Sequence, residues 1–193
     1  MADSNIVLRV AKPSDAAALL EIYSYYVTDT AITFEWEIPS VKEFKSRIEN
    51  TLKKFPYIVA ESDNQIIGYA YASSFKGRAA YDWAIETSIY VHKNLCHKGI
   101  GKLLLLKLEE LLQKQNILNS YACIAYPEIE DEYLTKNSVQ FHEKMGYRLI
   151  GEFKKCGYKF NRWYNMVWME KFLGEHVSDQ TPVMPFNKNS LEK

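Results

Sequence analysis

Neither sign of charge is in surplus in this sequence: twenty-four Lys and Arg balance twenty-four Asp and Glu, a formal net charge of zero. Without a basic excess or a basic run, nucleic acid and anionic membrane surfaces are not expected partners, because nothing would drive either association. Long apolar runs are missing as well; no stretch approaches the ~18 residues that a membrane helix requires. Met1-Ala2-Asp3-Ser4-Asn5 shows no basic region followed by an apolar stretch, so no secretory signal is visible and the expected location is cytoplasmic. Cysteine is scarce. Cys96, Cys123 and Cys156 are odd in number and lack CxxC spacing, which argues against a disulfide framework or a zinc knuckle. His92 and Cys96 stand four apart, but in a loop and with no second ligand pair, so no metal is expected. Eight glycines and six prolines in 193 residues are too few for collagen-like or low-complexity sequence.

What is present reads as one α/β (α+β) domain over residues 1–173 with an irregular tail over 174–193. Ile6 to Val10 is a β-branched run suited to a strand, and Pro13-Ser14-Asp15 starts a helix with Ser14 or Asp15 as its cap. Ala16, Leu19, Ile22, Tyr23, Tyr26 and Val27 then repeat at helical spacing, as do Val41, Phe44, Ile48 and Leu52. Tyr57–Glu61 and Gln65–Ser73 read as a hairpin around Ser62-Asp63-Asn64. From Tyr81 to Val91 the odd positions are mostly apolar, while the even ones include Asp82, Glu86 and Ser88, so one strand carries a polar face. Ile100, Leu103, Leu104, Leu108, Leu111 and Leu112 form a strong helical stripe. A strand over 120–125, a short helix over 137–145 and strands over 147–155 and 162–172 complete the order. Such alternation predicts one largely antiparallel sheet with helices on both faces.

The junction between strand and stripe reads Val91-His92-Lys93-Asn94-Leu95-Cys96-His97-Lys98-Gly99-Ile100-Gly101-Lys102. Glycines where a helix begins let several N–H groups point outward together, and with the helix dipole behind them they suit phosphate or pyrophosphate. A P-loop is excluded because Cys96 and Leu103 stand where it needs Gly and Ser or Thr. A dinucleotide fingerprint is excluded because Leu104 stands where its third glycine belongs.

The loop resembles the acyl-CoA loop of the GNAT superfamily of N-acetyltransferases: Arg or Gln, two residues, Gly, one residue, Gly or Ala. Cys96, Gly99 and Gly101 fall on that pattern, with Cys96 departing from it. That leaves the backbone, with His97 and Lys98 beside it, to meet the pyrophosphate. Phe75-Lys76-Gly77-Arg78, Ala80-Tyr81-Asp82-Trp83, Glu86 to Val91, Ser138 to Tyr147 and Gly157-Tyr158-Lys159 are similar to the branch acting on phosphinothricin and methionine sulfone or sulfoximine. The resemblance implies acetyl-CoA as co-substrate, no metal, a small-molecule amine as acceptor, and a homodimer paired through a sheet edge. It implies cofactor contacts from Ile89, Tyr90, Val91, Cys96, His97, Lys98, Gly99, Ile100, Gly101 and Lys102. Asn137 or Thr135 would fill the place of the family's cofactor-contacting Asn.

Glu86 lies on the polar face of a strand expected to be central, where a half-buried carboxylate is poised to take a proton from an ammonium. The resemblance places the family's base here. His142 is a candidate to protonate the departing thiol or to act as an auxiliary base. Phe34 and Glu35, with Lys76, Arg78 and Tyr81, could bind an acceptor bearing carboxylate and phosphinate or sulfone oxygens. Lys159 and Arg162 could reach the same mouth, though a surface hairpin is the simpler reading. Acetylation of polyamines or protein N-termini, or non-catalytic acyl-CoA binding, stay open; the acidic run Glu128 to Glu132 keeps the polyamine option alive.

Overall fold

The computed structural model describes residues 6–191, so Met1–Asn5, read above for a targeting signal, lies outside the described residues. The strands are β1 (Val7–Val10), β2 (Tyr57–Ser62), β3 (Gln65–Ser74), β4 (Ala84–Val91), β5 (Asn119–Tyr126), β6 (Arg148–Lys159) and β7 (Arg162–Phe172). The helices are α1 (Ala16–Thr28), α2 (Val41–Thr51), α3 (Ile100–Lys114) and α4 (Asn137–Lys144). All seven strands form one sheet in the order β1-β2-β3-β4-β5-β7-β6. Every neighbouring pair is antiparallel except β4 with β5. The mixed, mostly antiparallel sheet expected from the pattern is therefore present, with β4 at its centre. None of the described helices is long and apolar enough to cross a membrane.

Alternation along the strands divides the core. Tyr57, Val59 and Tyr69 face α1 and α2, packing on Leu19, Tyr23, Phe44 and Ile48. Ile58, Ala70, Ala72 and Ile85 face the other way, onto Leu104, Leu108, Leu111 and Leu112 of α3. These four leucines are at most 1% exposed, whereas Leu103, read as part of the stripe, is 43% exposed and Leu105 is buried in its stead. Truncating one of the four to alanine should cost about 2–5 kcal/mol. Two-residue hairpins turn through positive φ: Asp63-Asn64, residues that tolerate it, joins β2 to β3, and Phe160-Asn161 joins β6 to β7 with Phe160 drawn into it.

Local chemistry explains where elements start. Ser40 caps α2 by accepting from the Glu43 N–H. Neither Ser14 nor Asp15 caps α1 with its side chain. A single 3₁₀ turn, Pro13–Asp15, precedes that helix. The Asp15 carboxylate accepts from the Lys12 N–H at 2.7 Å and pairs with Arg9 at 2.7 Å. The strand expected from Tyr81 begins only at Ala84. Ala79–Tyr81 forms a 3₁₀ turn, closed by Tyr81 N–H to Arg78 O and Asp82 N–H to Ala79 O, so the apparent alternation of Tyr81 and Trp83 is not that of a strand. β6 runs past its expected end because a bulge between Phe153 and Gly157 absorbs the extra residues.

The described part of the tail, residues 174–191, lacks strands but is not loose. Val183, Phe186 and Leu191 pack against the α3 side of the core, and Met184 hydrogen-bonds to Gln115 in both directions.

The loop after α1 is docked on the β6–β7 hairpin. A Cβ at Gly157 would overlap the Phe34 ring, and Lys159 Nζ donates to the Thr33 carbonyl at 2.8 Å. Gly157→Ala should cost about 1–3 kcal/mol by forcing that ring aside, and Phe34→Leu in the same chain should recover much of the loss. Thermal unfolding of the single and double variants measures both; a Gly157→Ala variant as stable as the parent would contradict this packing.

Candidate active site

β4 and β5 are paired only from Ala84–Glu86 to Asn119–Tyr121. Thr87 adds one link, its Oγ1 donating to the Tyr121 carbonyl at 3.2 Å. Beyond that the strands part, and each leaves a backbone edge facing the gap. The His92 N–H donates to Ile67 O on the β3 side, so alternation turns the N–H groups of Ile89 and Val91 toward the gap. Tyr26 occupies the second of these. Its hydroxyl donates to the Val91 carbonyl at 2.5 Å and accepts from the Val91 N–H at 3.4 Å.

The gap opens into a cavity of about 710 Å³. Ile89, Tyr90 and Val91 line one side and Ala122 to Ala125 the other; Cys96, His97, Gly99, Gly101 and Lys102 close one end. Tyr133, Leu134, Thr135, Asn137, Ser138, Phe141 and His142 form the opposite wall. Of the residues expected to meet the cofactor, Lys98 and Ile100 do not line the cavity. Lys98 is exposed, and Ile100 is buried against α3's core side. Thr135 and Asn137 both line it, with the Thr135 hydroxyl 3.5 Å from the Asn137 N–H.

Gly99 precedes α3 with φ of +84° and open space around its missing Cβ. Only glycine takes that conformation without strain. No side chain caps the helix, and the first helical bond runs from Leu103 N–H to Gly99 O. The N–H groups of Ile100, Gly101 and Lys102 therefore lack helical partners and point out of the helix start, where an anion is favoured. Gly101 is different: a Cβ there would meet Phe141 at an ordinary 3.6 Å, so alanine would fit. The Cys96 thiol is exposed and lies 3.9 Å from the Tyr26 hydroxyl.

Glu86 projects from the other face of β4. It is half-buried, and burial raises its pKa while Lys76 opposes the rise. The Lys76 ammonium lies 5.0 Å from the Phe75 ring centre and 5.9 Å from that of Trp168. Phe75 stacks on Tyr121, the register partner of Glu86, at 4.4 Å. Cys123 sits in the same neighbourhood, its thiol pushed up to about 12 by burial and by Glu86 and Cys156.

His142 is buried and lines the cavity. Burial lowers its pKa, and Nδ1 lies 2.8 Å from the Ser138 carbonyl. A carbonyl only accepts, so Nδ1 carries the proton and the neutral ring leaves Nε2 as an acceptor. Burial, which the Ser138 bond only partly offsets, disfavours an imidazolium donor.

The residues expected to bind the acceptor are only partly brought together. Lys76 is near enough to Glu86 for its charge to act on the carboxylate, and Arg78 is exposed on the neighbouring turn. Phe34 packs between Gly157 and the cluster of Ala125, Leu134 and Tyr164. The Glu35 carboxylate is bound to Arg47 at 2.8 Å, on α2, instead of facing Lys76 and Arg78. Tyr81 lines a separate cavity of about 310 Å³. Lys159, read as a surface residue, is only 3% exposed, and desolvation lowers its pKa to about 8. Arg162 pairs with Asp131 at 3.0 Å and Glu132 at 2.7 Å. Tyr26, Tyr121 and the Tyr133–Leu134 wall had no signal beyond ordinary helix, strand or loop pattern.

The family model described as Acetyltransferase (GNAT) domain matches residues 8–168. A phosphinothricin N-acetyltransferase of Streptomyces viridochromogenes is 29% identical over 181 residues, 93% of this chain and 94% of its own. An L-methionine sulfoximine/L-methionine sulfone acetyltransferase of Salmonella typhimurium is 25% identical over 174 residues, 90% of this chain and 98% of its own. The crystal structure of a GNAT superfamily phosphinothricin acetyltransferase from Sinorhizobium meliloti, in complex with AcCoA, superposes with a TM-score of 0.82 at 30% identity. That superposition covers 94% of this chain and 98% of the other. A parted central strand pair, a glycine-started helix at the end of the gap and a family match over most of the domain lead to one conclusion: the chain belongs to the GNAT family of acetyltransferases.

Proposed function

We propose that the protein is a cytoplasmic enzyme that transfers an acetyl group from acetyl-CoA to the α-amine of a small amino-acid-like acceptor, with Glu86 as general base. The observation that carries this reading is the position of Glu86: it is the last β4 residue paired with β5, beside the point where the cleft opens. The acceptor class rests on the relatives that act on phosphinothricin and methionine sulfoximine or sulfone and on the cation Lys76 next to Glu86.

A thioester is already activated, so a free amine attacks it without a covalent enzyme intermediate. The protein's tasks are to hold both reactants, to remove one proton from the ammonium and to stabilise the oxyanion. The open N–H groups at the start of α3 suit the pyrophosphate, and the Ile89 N–H suits the carbonyl oxygen on which negative charge collects. The Glu86 carboxylate takes the ammonium proton directly or through water, its raised pKa bringing its basicity toward that needed near neutral pH. His142, neutral with Nε2 free to accept, is suited to orienting a protonated group at the departing sulfur. Thr135 and Asn137 flank the place where the cofactor's arm would pass.

The polyamine alternative loses much of its support, because three of the four carboxylates in the acidic run are engaged locally. Asp131 accepts from the Tyr133 and Leu134 N–H groups and from the Tyr164 hydroxyl, Glu132 pairs with Arg162, and Glu130 accepts from the Lys136 N–H. Exposed Leu149, Ile150 and Phe153 on edge strand β6 favour pairing of two copies through that edge.

A thiol-release assay over a panel of amines should rank phosphinothricin, methionine sulfone or methionine sulfoximine above spermidine and peptide N-termini; spermidine in first place would overturn the acceptor class. In the same assay Glu86→Gln should lower the rate at neutral pH by ~100-fold or more. The deficit should shrink at high pH, where the amine is already deprotonated, and a pH-independent deficit would argue against a base.

Stability gives a second readout of that variant. A raised carboxylate pKa means that wild-type stability falls as pH climbs from the unfolded value, ~4.3, through the folded one. Glu86→Gln should therefore melt above wild type at pH 7, with the gap closing as pH drops to about 4. A lower melting temperature at pH 7 would mean that the carboxylate is held by favourable contacts instead of desolvated.

A further inference from the structure

We propose that residues 175–184 act as a positioning strap for the acceptor side of the cleft, holding from outside the aromatic wall beside Glu86. The inference rests on the reading above that the Glu86 face receives the acceptor. The strap lies beyond the residues that match the family model.

Four anchors tie it down. The Thr181 carbonyl accepts from Trp83 Nε1 at 2.8 Å, and the Pro182 carbonyl accepts from Asn116 Nδ2 at 2.9 Å. Met184 N–H donates to the Gln115 carbonyl at 2.9 Å, while Gln115 Nε2 donates to the Met184 carbonyl at 3.0 Å. The fourth anchor reaches toward the site. His176 Nε2 lies 2.9 Å from Asn119 Oδ1, which can only accept, so the proton is on Nε2. Asn119 Nδ2 in turn donates to the Tyr121 hydroxyl at 3.4 Å.

Tyr121 is the partner of Glu86 across the β4–β5 pairing, and its ring stacks on Phe75, over which Lys76 lies. Trp83 leads directly into β4 and follows the turn carrying Tyr81. The anchors on Trp83 and Asn119 therefore end on the segments that present Lys76, Tyr81 and Glu86.

Packing alone does not fix this wall. Between the strap (His176, Val177, Gln180) and the wall (Phe75, Tyr81, Tyr121) lies a cavity of about 310 Å³. A side chain that faces a cavity forgoes the contacts that would hold it in place. The hydrogen bonds from the strap supply the missing restraint, so their loss lets the Phe75–Tyr121 pair settle toward the cavity and enlarges the space beside Glu86.

Steady-state kinetics on the full chain test this, with methionine sulfone as acceptor, or the panel amine that outranks it. His176→Ala and Trp83→Phe should each raise the acceptor KM by about three- to ten-fold, the worth of one ordinary hydrogen bond. The acetyl-CoA KM should stay within two-fold of wild type (~0.4 kcal/mol at most). His176→Gln, which keeps a donor, should restore most of the acceptor KM. An unchanged acceptor KM in both variants, an equal rise in both substrates' KM, or no rescue by His176→Gln would overturn the strap. Lys76→Ala, measured alongside, separates the two levels of inference. If Lys76→Ala raises the acceptor KM and the strap variants do not, only the strap fails; if none of the three does, the acceptor reading fails and the strap with it.

Discussion

The parallel pairing of β4 with β5 spans three residues on each strand and then stops, and the geometry of the site follows from where it stops. An unfinished pairing leaves backbone N–H and carbonyl groups unmatched on both edges, a cost that a protein bears only where something else will pair with them. Tyr26 covers the Val91 groups from α1. Ile89, one step nearer the junction, keeps its groups turned to the cleft. Glu86 lies at the last paired position, on the opposite face. One interruption in one ladder thus sets an open backbone edge, a half-buried carboxylate and a channel between them.

The phosphate end obeys the same logic of unmatched backbone. At α3 no side chain caps the helix among the described residues, so the helix start is available for an anion. On the proposed reading, a short side chain at Cys96 costs little, because the backbone meets the anion. Binding by main-chain groups depends on the left-handed turn at Gly99, and that turn is intact.

How much of this could be read from residues alone varies with range. The α3 stripe and the polar face of β4 were legible, because burial follows periods of 3.6 and 2 that are written into consecutive residues. The glycine loop was legible because positive φ demands a particular residue. Long-range commitments were not. Glu35 offered a free carboxylate until Arg47 took it from the next helix. Lys159 looked like a hairpin surface residue, and only the docking of the Thr33–Phe34 loop buries it. Tyr81 and Trp83 imitate strand alternation, yet the 3₁₀ turn and the bond from Trp83 to the Thr181 carbonyl override it. Tyr26 fits a helix stripe perfectly well and gives no sign that its hydroxyl reaches Val91.

The two sides of the cleft are built of different materials. Behind β4 stands a ladder of tyrosine rings: Tyr57 on Tyr71 at 4.8 Å, Tyr69 on Tyr90 at 5.3 Å, and Tyr90 against Tyr23 at 5.0 Å and Tyr26 at 5.1 Å. Burial holds the phenols of Tyr57, Tyr69 and Tyr90 neutral far into the alkaline range. Such a stack ties β2, β3, β4 and α1 into one stiff block, since no ring can move without displacing its neighbours. Across the gap, the wall from Tyr133 to Asn137 hangs on an acidic turn and an exposed Arg162 clamp. A molecule in the cleft would therefore rest on one side against interlocked rings and on the other against a loop held largely by polar contacts.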